Sequence, residues 1–349
     1  MSPMQKSIAH QAANGSAPSA APATMTAARH VRFATDPAKA VALAEAPLPQ
    51  PGPGQVRLKV AAAGISIGDW LTMTGLPFIA RPSFGFLSPK KPVLGQELAG
   101  TVDAVGKGVE GIAPGDQVFG FAEGAFAEYA IASAEHLVRT PEGVNAVQAA
   151  AVPVSALAAY QALTKVGRTA RGSRVLVIGA SGAVGTYAVQ IAAALGAEVT
   201  GVAAAANAAM VRDLGAAHVV DYAATDVTAS GQTYDVVVDT VGTTPLRALA
   251  GIVAKGGKAV LVGSRGGRAF MGFGRTIRAI AFGPLFGGRL APLFSMPHAD
   301  DLVAVRDLLA NGTVTPRLDR TFPLTRLADA LTHVGSRRTQ GKSVVVIGD

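Results

Sequence analysis

Cysteine is absent from all 349 residues. Disulfides, thiolate zinc ligands and a cysteine nucleophile are therefore excluded. No apolar run is long enough to span a bilayer as a helix. Charge is sparse, at 15% of residues against 49% apolar, which points to a globular protein. Acidic residues are outnumbered, 23 against 31 Lys and Arg, for a net charge of +8. The imbalance is local. Between Asp239 and Asp300 there is no acid, while Arg247, Lys255, Lys258, Arg265, Arg268, Arg275, Arg278 and Arg289 fall there. A confined excess of this kind suits a basic surface beside a phosphorylated ligand, or a solvated face, better than a nucleic-acid partner. Residues 1–24 have almost no hydrophobic anchor, the composition of a disordered tail. They lack the apolar centre of a secretory signal and the arginines of a transit peptide, so a cytoplasmic home is expected. Met25 is an alternative start.

What is present is organised around Ser173 to Ala197, SRVLVIGASGAVGTYAVQIAAALGA. Val175 to Ile178 is a β-branched run of one buried strand's length. A glycine-rich turn follows, and from Val184 the apolar period becomes helical through Ala188, Ile191 and Leu195, with Gly196 placed to stop the helix. A helix N-terminus offers unpaired N–H groups and partial positive charge to a pyrophosphate. In the pattern A-x-G-x-x-G, Ala180, Gly182 and Gly185 frame Ser181, Ala183 and Val184. Gly182 would let phosphates approach the backbone, and Gly185 would let the helix pack on the strand.

The alternation continues downstream. Glu198–Ala203, His218–Tyr222, Tyr234–Thr240 and Lys258–Gly263 read as strands, and Ala206–Leu214 and Leu246–Val253 as helices. Strands alternating with helices imply a doubly wound parallel sheet with its ligand at the carboxyl ends of the strands. A dinucleotide would lie across Gly182, the end of the second strand near Asn207, and the loops at Val241, Val262 and Gly263. Before the glycines, Val31 to Val60 reads as a strand, a proline-rich connection and a second strand from Gln55, typical of an irregular antiparallel domain. Ala146–Leu163 reads as one helix entering the nucleotide-binding half, and Asp301–Ala310 as an amphipathic helix with Leu302, Val305, Leu308 and Leu309 inward. Phe270 to Phe294, with interleaved Phe and Arg, reads as a lid, an interfacial segment or a subunit contact.

GQELAGTVDAVGKGVEGIAPGDQVFG, GAFAEYAI, AAAVPVSALAAYQAL, VLVIGASGAVGTYAVQIAAALGAEVTGV, LGAAHVVDY and GKSVVVI together resemble the medium-chain dehydrogenase/reductases, and within them the zinc-independent quinone-oxidoreductase-like branch that includes ζ-crystallin and the reticulon-interacting homologues. The resemblance implies a Rossmann domain, 148–297, inserted into a mostly β GroES-like domain built from 25–147 and 298–349, commonly homodimeric and using NADPH. Zinc-dependent members carry Cys where this chain has Ser66 and His where it has Gln96, so no zinc is expected, and a structural role is expected for Glu97. Where zinc-free relatives carry N-x-x-D, this chain has Ser66-Ile67-Gly68-Asp69, which makes Ser66 and Asp69 the catalytic candidates. Thr74 stands where Arg is frequent. Tyr222 matches a position near the adenosine phosphate, and Lys342 one close to the cofactor.

No acid appears between the end of the second strand, Gly201 to Asn207, and Asp213, which removes the usual NAD signature and favours NADPH, with NADH still possible. Asn207 is either a ligand-facing amide or a helix N-cap. Without a metal, such a site offers orientation and a dry pocket while the cofactor supplies hydride, which suits quinones and α,β-unsaturated carbonyls, small apolar substrates. Oxidoreduction of a carbonyl or alcohol, and a non-catalytic NADPH-binding role, are the alternatives.

Overall fold

In the computed structural model, residues 23–76, 78, 85, 88–263 and 273–348 are described. Most of the N-terminal tail and residues 264–272, which include Arg265, Arg268 and Phe270, lie outside them.

The chain begins in a hairpin. β1, Thr24–His30, pairs antiparallel with β2, Val41–Pro47. β1 thus starts ahead of Val31, where the proline punctuation placed the first strand, because Met25 and Ala27 on its alternating face enter a small core with Leu48 and Ala127. On the same strand His30 is buried, its Nε2 against the Met73 carbonyl at 3.1 Å, and its Nδ1 has no hydrogen-bond partner among the described residues. Burial depresses its pKa, against the raising effect of the Met73 and Arg32 carbonyls. The folded chain therefore protonates His30 at lower pH than the unfolded chain does. Its contribution to stability is full above about pH 6.5 and falls as pH drops below it, by up to roughly 1.4 kcal/mol per pH unit. Urea midpoints at pH 7.5 and 5.5 should differ less for His30→Gln than for the parent; equal differences would clear His30 of any part in acid sensitivity.

The first large sheet combines both ends of the chain. β3, Gln55–Ile65, pairs with β4, Glu97–Val105, and on its other edge with β15, Lys342–Val346. β5, Gln117–Phe121, β6, Tyr129–Ser133, β7, Leu137–Arg139, and β14, Leu318–Pro323, complete it. Its core gathers Val56, Leu58, Leu98, Phe126, Leu331 and Val345.

The second sheet is parallel throughout. β8, Arg174–Ile178, lies between β9, Glu198–Ala203, and β11, Tyr234–Asp239; β10, His218–Asp221, extends one side, and β12, Val253–Leu261, and β13, Leu290–Pro292, the other. The order β10-β9-β8-β11-β12-β13 reverses direction beside β8, opening the crevice of a doubly wound Rossmann sheet where dinucleotides bind. The continuous runs RVLVI and YDVVVD are buried on both faces, as helix-covered parallel strands require.

The expected helix over 146–163 is two helices, Ala146–Ala150 and Pro153–Gln161, continued by a π turn, Ala162–Val166. Pro153 supplies no N–H, so the ladder restarts there. The amphipathic helix Ala299–Ala310 turns Leu302, Val305 and Leu309 into a core shared with Leu157 of the entry helix. That core also holds Ala62, Ala99 and Val177, so the two sheets are joined by apolar packing rather than by a linker.

Candidate active site

β8 is followed by Gly179, whose φ of 84° is one a side chain resists. The turn closes with Gly182 N–H donating to the Gly179 carbonyl at 3.0 Å, and the helix Ala183–Ala194 starts with Gly182 as its N-cap. No side chain caps this helix. Its first-turn N–H groups, on Ala183, Val184 and Gly185, are left for an anion at the mouth of the crevice. Gly185 is required by packing, since a Cβ there would strike the Gly179 carbonyl. At Gly182 the nearest atom to a Cβ would be that same oxygen, at 3.4 Å. Space inside the protein does not demand that glycine.

The other cofactor candidates converge on this turn to different degrees. Asn207 stands at the start of the helix Ala208–Asp213 but does not cap it; its amide donates to Ser181 Oγ at 3.3 Å, tying the end of β9 to the glycine turn. The capping alternative is thereby set aside. Tyr222, just past β10, is 65% exposed. Asp221, opposite Ala203 in the register, is an acid near the end of β9 that linear spacing does not place there; its Oδ1 accepts from the Ala223 N–H at 3.0 Å. Across the crevice, Thr240 Oγ1 donates to the Ile178 carbonyl at 2.8 Å, and Val241, Val262 and Gly263 follow at the ends of β11 and β12.

The first domain closes on the turn from the other side. Gly341 donates its N–H to the Ser181 carbonyl at 3.0 Å and bridges Gly182. With a φ of 105°, and with the Arg317 carbonyl where a Cβ would be, Gly341 admits no other residue easily. Nothing in the sequence marks this contact beyond the Gly-Lys pair. Lys342 follows, but its ammonium does not face the cleft. It is buried at 1% exposure, donating to Glu97 Oε1 and, at 3.3 Å, to Ser155 Oγ. The expectation that Lys342 reaches the cofactor is corrected accordingly, because the side chain has a carboxylate of its own. Glu97 is fully buried; burial pushes its carboxyl up, and the Lys342 charge and the Val154 N–H at 2.8 Å pull against that.

Ser343 pairs with Ile65, which puts Ser66 one residue beyond β3 at that junction. Ser66 caps the helix Ile67–Thr74 in a capping box with Asp69. Its N–H and its Oγ each donate to Asp69 Oδ2 at 2.8 Å, and the Gln96 amide is 3.5 Å from Oδ1. Asp69 is only 1% exposed. Its carboxyl is pushed up by burial, against the Ser66 hydrogen bonds and the Lys342 charge. Asp69 is therefore a positioning residue behind Ser66, a correction to its reading as a catalytic group. Thr74 is also buried, donating to the Leu71 carbonyl at 3.0 Å.

The two positions where the resemblance sets zinc ligands thus hold a hydroxyl committed to Asp69 and an amide, beside a carboxylate paired with an ammonium, a donor set that does not suit zinc. No group of three His, Cys, Asp or Glu is arranged for a metal among the described residues. Tyr187, in the phosphate helix, is buried with its hydroxyl on the Ala151 carbonyl at 3.0 Å, and burial raises its pKa well above the usual range. It offers no proton to the cleft.

Two family models match the chain: the alcohol dehydrogenase GroES-like domain over 52–142 and the zinc-binding dehydrogenase domain over 214–345. The chain is 32% identical over 302 residues to the chloroplast envelope quinone oxidoreductase homolog of Arabidopsis thaliana, covering 82% of this chain and 88% of that protein. This chain belongs to the medium-chain dehydrogenase/reductases. It falls with their quinone-oxidoreductase-like members. It is also 30% identical to the mitochondrial NAD(P)H oxidoreductase RTN4IP1 of Mus musculus, over 72% of this chain and 69% of that one. The quinone oxidoreductase structure from Coxiella burnetii superposes with a TM-score of 0.81 at 25% identity, over 93% of this chain and all of that chain. As a medium-chain dehydrogenase/reductase the chain is an NAD(P)H-dependent oxidoreductase with the inserted Rossmann domain its motifs foretold. No helix among the described residues is long and apolar enough to cross a membrane.

Proposed function

We propose that this chain is a zinc-free, NADPH-dependent reductase of quinones or α,β-unsaturated carbonyls. The observation that carries the reading is the donor set at Ser66, Gln96 and Glu97, which offers hydrogen bonds and no metal ligation. A bound NADPH would supply hydride. The uncapped helix at Ala183 would hold the pyrophosphate, and Asn207 and Tyr222 would flank the adenosine side, where no acid lies between the end of β9 and Asp213. Val241, Val262 and Gly263 would line the nicotinamide side. Ser66 Oγ, its proton held by Asp69, would accept a hydrogen bond from a nicotinamide ribose hydroxyl, with solvent delivering the proton to the reduced substrate. Without a Lewis acid the site favours acceptors that need little carbonyl polarisation. The substrate is a small apolar molecule, with no part for nucleic acid, and the setting is cytoplasmic.

The protein works in this reading as a homodimer. β13 is an edge strand, and Ile277, Ile280, Phe282, Leu285 and Phe294 are exposed beside it. Light scattering should give twice the chain mass.

Calorimetric titration with NADPH and NADH in parallel, with and without chelator, followed by turnover on a quinone and enone panel, tests the assignment. Tight, chelator-insensitive binding that prefers NADPH, with quinone or enone turnover, supports it; binding without turnover leaves a cofactor-binding protein, and activity confined to ketones a carbonyl reductase. Ser66→Ala should lower kcat about tenfold or more while changing the NADPH Kd less than threefold, the loss of one hydrogen bond that orients the nicotinamide ribose for hydride transfer. Parent-like kinetics would remove Ser66 from the site.

A further inference from the structure

We infer that Arg275 is a positioning residue for the nicotinamide side of the cofactor crevice, acting through Asp239. The inference rests on the reading that this crevice takes a nicotinamide dinucleotide. Arg275 lies in the acid-free stretch and, from its neighbours in the chain, belongs on a basic surface. In the fold it is 7% exposed. From the helix Phe273–Phe282 its Nη2 donates to Asp239 Oδ2 at 2.7 Å and to the Thr244 carbonyl at 2.8 Å, and its Nη1 approaches the Gly263 carbonyl at 3.5 Å.

Asp239, fully buried at the end of β11, distributes the rest. Its Oδ1 accepts from the N–H groups of Val241 and Gly242 at 3.1 and 3.0 Å. Its backbone carbonyl accepts from Val262 and Gly263 at 3.0 and 2.9 Å. One guanidinium and one aspartate thus set the loop after β11, the loop after β12 and the helix behind them. The planar fork of arginine can serve two loops at once; a lysine ammonium on a flexible stem cannot hold both. A buried pair adds little net stability relative to an apolar core but fixes geometry. Here the geometry is that of Val241, Val262 and Gly263. Among the described residues, the adenosine side, at β9 and β10, has no bond to Arg275.

Arg275→Met and Arg275→Lys are compared with the parent for binding of NADPH and of adenosine 2′,5′-bisphosphate, which occupies only the adenosine side. KM and kcat are measured with 1,4-naphthoquinone. For Arg275→Met the NADPH Kd and KM should rise roughly ten- to a hundredfold, the effect of losing charged hydrogen bonds, while the Kd for the bisphosphate stays within about twofold. Arg275→Lys should fall between, keeping the bond to Asp239 and losing the fork; if the methionine variant does not fold, this variant decides. Equal losses for both ligands would mean a general structural role and overturn the inference, as would a parent-like NADPH Kd in a folded variant. Failure of the parent itself to bind NADPH would remove the crevice reading, a result separate from any behaviour of the variants.

Discussion

Gly182→Val is expected to abolish NADPH binding in a chain that still folds. Gly182 has a φ of −83°, which any residue adopts, and the space beside it holds only the Gly179 carbonyl at 3.4 Å. What a side chain would occupy is the space over the first-turn N–H groups of the phosphate helix, where the pyrophosphate belongs. The loss should be at least about a hundredfold in Kd, close to 2.7 kcal/mol, with a melting temperature near that of the parent. Gly185→Val provides the opposite control. Its Cβ would meet the Gly179 and Ala180 backbone, so the variant should lose stability by about 1–3 kcal/mol or more through overpacking. Calorimetry and thermal unfolding of both variants read the two effects apart. Parent-like NADPH affinity in Gly182→Val would show that the turn serves only to join strand to helix.

Lys342→Met should be the most destabilising single change away from the glycine turn. Among the described residues it would leave the buried Glu97 carboxylate with the Val154 N–H as its one remaining hydrogen-bond donor. Removing one member of a buried pair costs about 3–5 kcal/mol, whereas replacing both with apolar residues is often neutral. Glu97→Leu/Lys342→Met should accordingly recover most of the stability lost by either single variant. The pair joins β4 and β15 to the entry helix through Ser155, so the loss should appear in urea unfolding of the whole chain. Additive losses in the double variant would show that the charges are not coupled.

Local pattern was enough for much of this fold. Val175–Ile178, Glu198–Ala203 and Tyr234–Asp239 are strands within a residue or so of where apolar runs and glycines placed them. The phosphate helix starts where the period changes, since a strand-turn-helix unit is specified by residues adjacent in the chain. The missing acid after β9 and the missing zinc ligands were legible for the same reason, being questions of residue type at a spacing. Legibility ended where partners came from far away. The break at Pro153 and the strand at Thr24 depended on packing that periodicity does not report.

The site divides along the same line. Residue type alone determined that this chain carries an A-x-G-x-x-G turn between strand and helix, no thiolate metal site and a Ser-x-x-Asp segment. Tertiary structure alone decided what the charged residues do. Lys342 meets Glu97 across 245 positions of chain, Arg275 meets Asp239 across 36, and Asp69 turns back to hold Ser66. In water each of these side chains would remain solvated, and in sequence each looks like a surface group or a ligand contact. Burial makes an unpaired charge costly, so each finds a partner inside, and which partner is near is settled by how the two sheets pack.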